Sequence, residues 1–563
     1  MISNTILDNE AIIGGRAEVG DCWMPASAVR PIIHDDPCLL WLQQHGKAHG
    51  FQPDQCEYSF LEYIGRKAKE FEECWMGNVA PNAVLVCREP FLVRHAKYVG
   101  RTLDLMRDGV PIIYQGALWW PEEEIYGTPD IICLRSWLFE TFPHLLIEDD
   151  KPDHYLAMDM KFSTGLDIDP GKKTDLAVAT AQLRLYSHML SYCQQQPIGE
   201  AYIIPRDHPL EPIPVQAACA PGEGLYPQLV ECRATYQDIR TNGRECTPWN
   251  DYRLRPNLGF TSDEPWHGAK KLIATERFPG RMSELLYYVS RSEADRLSRA
   301  GYPNLDAILA EEPVRLPLPR TKTGLRQCAI LHTQRTGIST PVPKELVPPQ
   351  KRIELFVDFE YLNNTNVRME EEWPELKGRD MVFMIGIGHM TREGWAQTIL
   401  TAESETPEAE AKLFLSFVEH LNMLGVIENP NDSSIYHWCP PEKWQTQRFI
   451  DRVGGRLGFQ LQTALSRFID LREVFHAGNI SIPGAMDYGL KTVAKALSTY
   501  DTRFAVEWPD GVTDGTQAMV AGWRMYEVAE PLHSVEYEHL ARYLEIDCFA
   551  LHKILSWLRA KAE

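Results

Sequence analysis

Two acidic residues lie two positions apart in the strongly apolar run IELFVDFEYL, which begins at residue 353. They are Asp358 and Glu360, and the run predicts a buried strand. Because side chains alternate along a strand, both carboxylates point to one face. An uncompensated buried charge is very costly, so a metal ion is the simplest partner for the pair. Carboxylate-bound divalent ions are suited to the hydrolysis of phosphodiesters.

Further groups suited to a metal site follow along the chain. Glu442 starts a predicted helix directly after the short strand SSIYHW, and Tyr543 and Asp547 are four residues apart on the predicted last helix. Residues at that spacing share a helix face. Two Mg²⁺ or Mn²⁺ ions held ~3.5–4 Å apart by such oxygen ligands would activate a water and stabilise the leaving oxygen. The alternative is a set of surface acids with a helical Tyr–Asp pair.

Two neighbouring residues have more than one interpretation. His437 stands at the end of the strand before Glu442, and such a histidine more often packs or holds the strand end than acts as a base. Asp470, in the string FIDL, is either another acid near the site or a loop or capping residue.

The elements around these residues predict an α/β fold class. Strands are predicted at 353–360, 382–389 and about 395–400, followed by a helix at about 407–424, the strand SSIYHW, a helix from about 442 and a long helix at about 535–558. This βββαβαβα order is compatible with a mixed sheet flanked by helices.

The N-terminal residues predict a different order of elements. These are a helix at about 58–75, strands at about 110–120, 129–137 and 154–162, a helix at about 175–194 and a strand at 199–206. The order is therefore αβββαβ.

Polar residues fall at regular places on these N-terminal elements. The string GTPD ends in Asp130 at a strand start, and Asp159 and Lys161 share one face of the next strand. Gln182 and Tyr186 are four residues apart on the following helix. Taken alone, an Asp-x-Lys triplet would be a cross-strand ion pair, and the strings on either side favour a functional site instead.

The residues from about 350 to 563 resemble the DnaQ-type DEDD exonucleases of the ribonuclease H-like fold. FVDFE resembles the first motif of that family, HWCPPE the second and YLEID the third. The second motif departs from the family, with Glu442 in place of Asp and Trp438 in place of Asn. The ordered strings IYHWCPPEKW, FIDLREVF, YGLKTVAKAL and YLEIDCFALHKILSWL are similar to predicted RecB-like nucleases that end in such a domain.

This resemblance implies a role for each residue of the C-terminal set. Asp358 would bridge two metal ions, and Glu360, Glu442 and Asp547 would complete the oxygen shell. Tyr543 would orient the attacking water, which is the role of this tyrosine in the family.

The N-terminal set resembles the RecB-type PD-(D/E)xK nucleases, whose core is restriction-endonuclease-like. Asp130 matches the second motif, and Asp159 with Lys161 matches the third. Glu72, in RKAKEFE, would be the first motif, although the family often has Gly where this chain has Ala68.

The second resemblance implies a metal site and a nucleic-acid contact. Asp130 and Asp159 would bind one or two divalent ions, and Lys161 would position or help deprotonate the water, or steady the developing charge. A lysine beside metals and partly desolvated can have a lowered pKa. Gln182 and Tyr186 would contact the nucleic-acid backbone.

Four cysteines raise the question of an iron–sulfur cluster, which some nucleases of this fold carry. The residues are Cys38, Cys219, Cys232 and Cys246. Clusters normally use tighter spacing than theirs, so ordinary thiols are the favoured interpretation.

Proline-rich and polar stretches predict three segments. Residues 341–352 contain four prolines and resemble an extended linker. The segments are 1–250, a nuclease domain; 251–345, a connector; and 350–563, a second nuclease domain. Within the connector, residues 283–312 predict two helices joined around 300–303, either a phosphate-gripping hairpin or a packing spacer. The basic stretch 315–326 would guide a strand or simply be solvated.

The composition limits the class of protein. The net charge is -21, which counts against a protein that coats nucleic acid electrostatically but not against a nuclease with acidic metal sites. The 13 cysteines include no CxxC pair, which favours a reducing compartment and the cytoplasm. No apolar run reaches the ~18 residues of a membrane span.

Together these features predict a metal-dependent nuclease with two nuclease domains. DNA is favoured over RNA through the RecB resemblance alone, and repair, recombination or defence against foreign DNA is the implied setting. The alternatives are one active domain with the other a nucleic-acid clamp, or a silent scaffold that recruits a helicase-type protein partner.

Overall fold

The computed structural model describes residues 6–145, 153–162, 175–206, 208–220, 224–259, 264–363, 380–508 and 511–562. It divides into two compact units. The first unit comprises Met1–Asp54 and Ile64–Phe278, and the second comprises Gln55–Tyr63 and Pro279–Glu563. The predicted connector 251–345 therefore divides at Phe278, and its later residues group with the C-terminal ones.

The first unit contains a six-stranded sheet and a three-stranded sheet. The strands are β1 (Met24–Pro25), β2 (Val84–Leu85), β3 (Ile112–Tyr114), β4 (Leu118–Trp120), β5 (Ile125–Gly127), β6 (Ile131–Leu134), β7 (Tyr155–Lys161), β8 (Ile198–Pro205) and β9 (Ile213–Cys219). The larger sheet has the order β2-β3-β6-β7-β8-β9 and the smaller one β1-β5-β4. In the larger sheet β7 is antiparallel to β6 and parallel to β8.

The helices of residues 9–272 surround these sheets. They are Asn9–Ile13, Val29–Ile33, Pro37–His45, Phe60–Val79, Ala96–Arg107, Arg135–Thr141, Asp175–Gln194, Pro227–Asn242 and His267–Leu272. Asp175–Gln194 contacts β7, β8 and β9, so it covers the part of the large sheet that carries the Asp-x-Lys triplet.

The predicted strand at 110–120 is wrong as a single element. The chain leaves β3 at Gln115, whose φ of 54° lies in the left-handed region, and re-enters extended structure at β4 in the other sheet. The positive φ turns the chain out of the first sheet. The predicted strand at 129–137 is too long, because β6 ends at Leu134 and a helix begins at Arg135. The predicted helix at 175–194 and the strands at 154–162 and 199–206 are confirmed.

The second unit is built on one five-stranded mixed sheet. Its strands are β10 (Ile353–Leu362), β11 (Met381–Thr391), β12 (Gly394–Thr401), β13 (Ser433–His437) and β14 (Phe468–Asp470). The order is β12-β11-β10-β13-β14, with antiparallel pairs on one side of β10 and parallel pairs on the other. The βββαβ start of the predicted order is thereby confirmed, and β10 lies at the centre of the sheet.

Ten helices lie along the described part of this unit. They are Arg291–Arg299, Leu305–Ala310, Lys322–Thr336, Pro407–Met423, Pro441–Val453, Gly455–Leu465, Leu471–Gly478, Leu490–Tyr500, Gly515–Tyr526 and Val535–Lys561. The final one, called the last helix below, begins at Ser534, whose side chain accepts a hydrogen bond from the Tyr537 amide. It contacts β10 and β11 through a buried face.

Residues 283–312 contain the two predicted helices, but the first is shorter than the pattern indicates. It begins at Arg291, where Ser290 and Glu293 form a reciprocal capping box. Gly301, at φ 97°, makes the turn to the second helix at Leu305. None of the described helices combines the length and apolar composition that a membrane-spanning helix requires.

Candidate active sites

The second unit brings four carboxylates together from three separate elements. Asp358 and Glu360 lie on β10, Glu442 lies in the first turn of helix Pro441–Val453, and Asp547 lies on the last helix. Burial raises the pKa of Asp358 well above its usual value, and the neighbouring charges of Asp547 and Glu442 raise it further. Burial likewise raises the pKa of Glu360, and the charges of Asp358 and Asp547 raise it further. These four residues are called the C-terminal cluster.

A glycine on the neighbouring strand lets the last helix approach this cluster. Gly386 of β11 pairs with Asp358, and a Cβ atom there would lie 3.1 Å from the Cys548 Sγ and 3.2 Å from the Leu544 Cβ. These contacts are tighter than ordinary packing, so the absence of a side chain brings Asp547 close to β10.

A buried histidine forms a hydrogen bond with Glu442. The His437 Nδ1 lies 3.1 Å from the Glu442 Oε2, and His437 is fully buried. Burial lowers the pKa of His437 to about 4, against the opposing charge of Asp470, so the ring is neutral near pH 7 and shares a hydrogen bond with Glu442 through Nδ1. Asp470 caps helix Leu471–Gly478 and also accepts a hydrogen bond from the Cys439 amide at 3.1 Å. His437 therefore holds and orients Glu442, and Asp470 has a capping role.

Asp547 and Tyr543 are fixed by side chains that the motifs do not contain. The Trp508 indole Nε1 donates to the Asp547 Oδ1 at 2.6 Å. The ammonium group of Lys491 lies 4.1 Å from the centre of the Tyr543 ring and donates to the Thr513 carbonyl. Burial lowers the pKa of Lys491, while the charges of Asp547, Asp514, Glu360 and Asp358 oppose that effect. Lys491 thus supplies positive charge to the cluster.

Lys491→Met is expected to destabilise the metal-free protein. The change removes the positive charge that opposes the four acids, and it should lower the free energy of unfolding in EDTA by about 1–3 kcal/mol. Urea unfolding in EDTA and again in Mn²⁺ measures the effect, and the deficit should shrink with Mn²⁺. Lys495→Met, an exposed site one turn further along the same helix, is the matched control. Equal stability of Lys491→Met and wild type in EDTA would show that Lys491 does not compensate the cluster.

The first unit also gathers its predicted acids in one place. Asp159, on β7, is 4% exposed, and its Oδ2 lies 2.5 Å from the Lys161 Nζ. Asp130 precedes β6, and its Oδ2 accepts a hydrogen bond from the Met160 amide at 2.7 Å. The Gln115 amide group donates to Glu72 at 2.7 Å and to Asp130 at 3.1 Å. Burial raises the pKa of Asp130, and the charges of Asp159 and Glu72 add to that effect. Glu72, Asp130, Asp159 and Lys161 are called the N-terminal cluster.

Lys161 departs from the expectation of a lowered pKa. Burial lowers the pKa of this group, but the charges of Asp159 and Asp130 outweigh burial and raise it above its usual value. Lys161 is therefore a cation in this state, and it is better suited to stabilise negative charge than to remove a proton.

Tyr186 packs within the first unit, and Gln182 lies one turn before it on helix Asp175–Gln194. Tyr186 is 5% exposed. Burial raises its pKa, and the charges of Asp159 and Asp130 raise it further, which sets its ring beside the N-terminal cluster. The predicted backbone contact of these two residues with nucleic acid stays a prediction, and the buried ring of Tyr186 is the less accessible of the two.

Gly127→Ala is expected to destabilise the first unit. A Cβ atom at Gly127 would lie 2.6 Å from the Tyr186 Cε1 and 2.9 Å from the Ala26 Cβ, so the Gly of GTPD makes room for that ring. Overpacking of this kind costs about 1–3 kcal/mol, measurable by urea unfolding. Gly77→Ala is the control, because a Cβ there meets open space on a helix and should stabilise by up to about 1 kcal/mol. A neutral Gly127→Ala would contradict the tight fit.

The carboxylate sets suit hard divalent cations by their chemistry. Oxygen ligands are what Mg²⁺ and Mn²⁺ prefer, and burial together with the repulsion between the acids raises their pKa values in the absence of a cation. Within the described ranges, however, no three His, Cys, Asp or Glu side chains stand in an arrangement ready to hold a metal ion. Binding would therefore require side-chain adjustment in both clusters.

The four cysteines considered for an iron–sulfur cluster are thiols that form no disulfide bond in the structure. Cys38, Cys219 and Cys232 are buried and Cys246 is partly exposed. The Cys219 Sγ donates to the Ala217 carbonyl at 3.1 Å. Burial raises the pKa of Cys232, which opposes the thiolate form that binds metals.

Comparison with known proteins adds no relative. No protein-family model, no curated protein and no solved structure matches this chain. The interpretation of both clusters therefore depends on their own residues.

Several residues that interact with the two clusters are not among the predicted site residues. Gln115 bridges two acids. Its position in the polar string YQG, inside an otherwise apolar run, is the sequence feature that could have identified it. Lys491 lies in the string YGLKTVAKAL, where a lysine looks like any surface residue of a helix. Trp508 is 39 residues from Asp547 along the chain, and no local pattern indicates their contact.

Proposed function

We propose that the protein is a metal-dependent nuclease with a carboxylate centre in each unit. The observation that carries the proposal is the convergence of four buried or partly buried carboxylates in the C-terminal cluster. A fold that gathers like charges in this way loses stability unless a cation binds among them. The motif resemblances identify the same residues independently of the geometry.

The C-terminal cluster would hold Mg²⁺ or Mn²⁺ through Asp358, Glu360, Glu442 and Asp547. When bound, the ions would supply an activated water and stabilise the leaving oxygen of a phosphodiester. Tyr543 hydrogen-bonds to Asp547 and is suited to orient that water. His437 would keep Glu442 in place through the hydrogen bond at its Nδ1.

The N-terminal cluster would hold its ion through Asp130 and Asp159. Lys161, which carries its proton, would steady the negative charge that develops on the phosphate. Gln115 would orient Glu72 and Asp130 through its two hydrogen bonds. The substrate is proposed to be DNA, on the RecB resemblance alone.

Cleavage of end-labelled single-stranded DNA, duplex DNA and RNA tests the proposal. The assay compares wild type with the double variant Asp159→Asn/Asp358→Asn in Mg²⁺ and in Mn²⁺. We expect the wild type to cleave at least one substrate and the double variant to be inactive. A wild type that cleaves none of them with either ion would contradict the proposal and favour a scaffold that recruits a partner.

A further inference from the structure

A cavity of about 870 Å³ in the second unit is lined by residues outside the C-terminal cluster. Its volume lies in the usual range of small-molecule sites. Four stretches of chain contribute to its walls, and the residues that define it here are Tyr287, Tyr288, Arg326, Arg472, His476 and Tyr488. We call it the arginine–tyrosine cavity.

Two arginines in the walls of this cavity could contact an anion. Within the described residues, neither Arg326 nor Arg472 has a carboxylate partner within 4 Å, and the Nε of each is buried without a hydrogen-bond partner. The walls also contain three acids: Glu293 is used in the capping box with Ser290, Asp487 accepts a hydrogen bond from the Gly489 amide, and Glu284 is the third. Neither guanidinium is paired with a carboxylate in the described part of the chain, although Arg326 also interacts with the Tyr287 hydroxyl, and Arg is well matched to phosphate.

Aromatic rings form the rest of the cavity. The Tyr287 ring lies 4.5 Å from that of Tyr288 and 5.0 Å from that of Tyr488, and the His476 ring is also 5.0 Å from Tyr488. Tyr488 is 4% exposed, and its hydroxyl is buried with no hydrogen-bond partner among the described residues. An unpartnered buried polar group beside a cavity points to a ligand.

Tyr288 has an unusual conformation for an aromatic residue. Its φ is 51°, in the left-handed region, and its side chain is 73% exposed. Both features are unfavourable for a large aromatic residue that serves only the fold. Strained residues with exposed rings are typical of binding surfaces.

The cavity and the C-terminal cluster share a short segment of chain. Tyr488 lines the cavity, and Lys491, three residues later, lies among the acids. The Trp438 indole donates to the Tyr488 carbonyl at 3.0 Å, which ties this segment to the residues just before Glu442. Arg472 follows Asp470, which accepts hydrogen bonds from the Arg472 and Cys439 amides.

We propose that the arginine–tyrosine cavity binds a nucleotide, with the base against the tyrosines and the phosphate on Arg326 and Arg472. Stacking on aromatic rings together with arginine–phosphate contacts is how proteins grip single-stranded nucleic acid. The cavity would hold one nucleotide of the strand that reaches the C-terminal cluster, and in this respect the inference rests on the proposed nuclease function. The same chemistry would accept a free nucleoside monophosphate.

Photo-crosslinking in EDTA tests the cavity without any cleavage. A short single-stranded DNA that contains 4-thiothymidine is bound to the full chain and irradiated, and the crosslinked peptides are identified by mass spectrometry. Its affinity is measured in parallel by fluorescence anisotropy. We expect crosslinks on the peptides that contain Tyr287, Tyr288 or Tyr488.

Three variants sharpen the test. Arg326→Gln should weaken the affinity for the single-stranded DNA, measured by anisotropy, roughly ten-fold through loss of a charge-assisted phosphate contact. Tyr288→Ala should weaken it roughly five- to a hundred-fold through loss of stacking, and its exposed side chain makes misfolding no concern. Arg392→Gln, at an exposed arginine in the turn between β11 and β12 that does not line the cavity, should behave as wild type.

The outcomes separate the two possible sources of the nucleotide. Loss of the cavity crosslinks on addition of dAMP, but not of inorganic phosphate, supports recognition of a single nucleotide. Crosslinks that persist with dAMP but disappear in Arg326→Gln support a subsite for a strand. Crosslinks that avoid the cavity, or variants that bind as wild type, would overturn the proposal.

The result is independent of the nuclease assay. If the chain never cleaves but the cavity crosslinks depend on Arg326, the cavity proposal stands and the nuclease proposal fails. If the chain cleaves and no crosslink reaches the cavity, the reverse holds.

Discussion

Asp358→Asn is expected to reduce the cleavage that depends on the second unit by about 10²–10⁴-fold. Asp358 interacts with the charges of Asp547 and Glu442 and therefore lies centrally in the C-terminal cluster. Asparagine keeps the shape of the side chain but cannot balance a bound cation. The loss should appear mainly in kcat, because the ions act on the reacting atoms.

The same substitution, although it reduces activity, should stabilise the metal-free protein. Removing one of several mutually repelling acids should raise the free energy of unfolding in EDTA by about 1 kcal/mol. It should also reduce the rise in Tm that Mn²⁺ gives the wild type. Asp451→Asn, at an exposed acid of helix Pro441–Val453, is the control and should change neither quantity. Unchanged cleavage and unchanged Mn²⁺ stabilisation in Asp358→Asn would show that the C-terminal cluster binds no catalytic ion.

Asp159→Asn is expected to remove a separate cleavage activity, again by about 10²–10⁴-fold. Asp159 pairs with Lys161 at 2.5 Å and raises the pKa of Asp130, so it links the proposed metal ligands of the N-terminal cluster to the lysine proposed to stabilise charge. Its loss removes one proposed metal ligand and leaves Lys161 with weaker compensation. The measurement is the product pattern on each end-labelled substrate, compared with that of Asp358→Asn.

Distinct patterns in the two single variants would show two independent active centres. Asp21→Asn, which changes an acid of the first unit that is 89% exposed, should leave all products unchanged. If Asp159→Asn retains every product while Asp358→Asn loses all of them, the first unit is a binding module. The opposite result would assign binding to the second unit, where Glu442 and Trp438 depart from the motif.

Regular elements of this fold can be predicted from local patterns. The apolar run at β10 and the helix Asp175–Gln194 have periodicities that a few consecutive residues reveal. The break at Gln115 could not be predicted in the same way, because a positive φ at a glutamine has no sequence signature. The split at Phe278 was also hidden, since the grouping of residues into units depends on contacts between distant parts of the chain.

The acids of both clusters were easier to predict than the residues that position them. Asp358 and Glu360 are conspicuous because charge is expensive in an apolar strand. Lys491 and Trp508 lie where lysine and tryptophan are ordinary, and only the fold brings them to Asp547. The close approach of the last helix likewise depends on Gly386, whose lack of a side chain matters only once Leu544 and Cys548 are opposite it.

The segment from Tyr488 to Lys491 would link the binding of a nucleotide in the cavity to the binding of a metal ion in the C-terminal cluster. One end of it lines the arginine–tyrosine cavity, and the other carries the cation that faces the four acids. A ligand that moves Tyr488 would also move Lys491. It would thereby change the free energy of binding a metal ion in the C-terminal cluster. By reciprocity, a nucleotide that alters the Mn²⁺ affinity by some factor must have its own affinity altered by Mn²⁺ by the same factor. Occupancy of the cavity and loading of the ion would then be a single coupled equilibrium, with the Trp438–Tyr488 hydrogen bond at its centre.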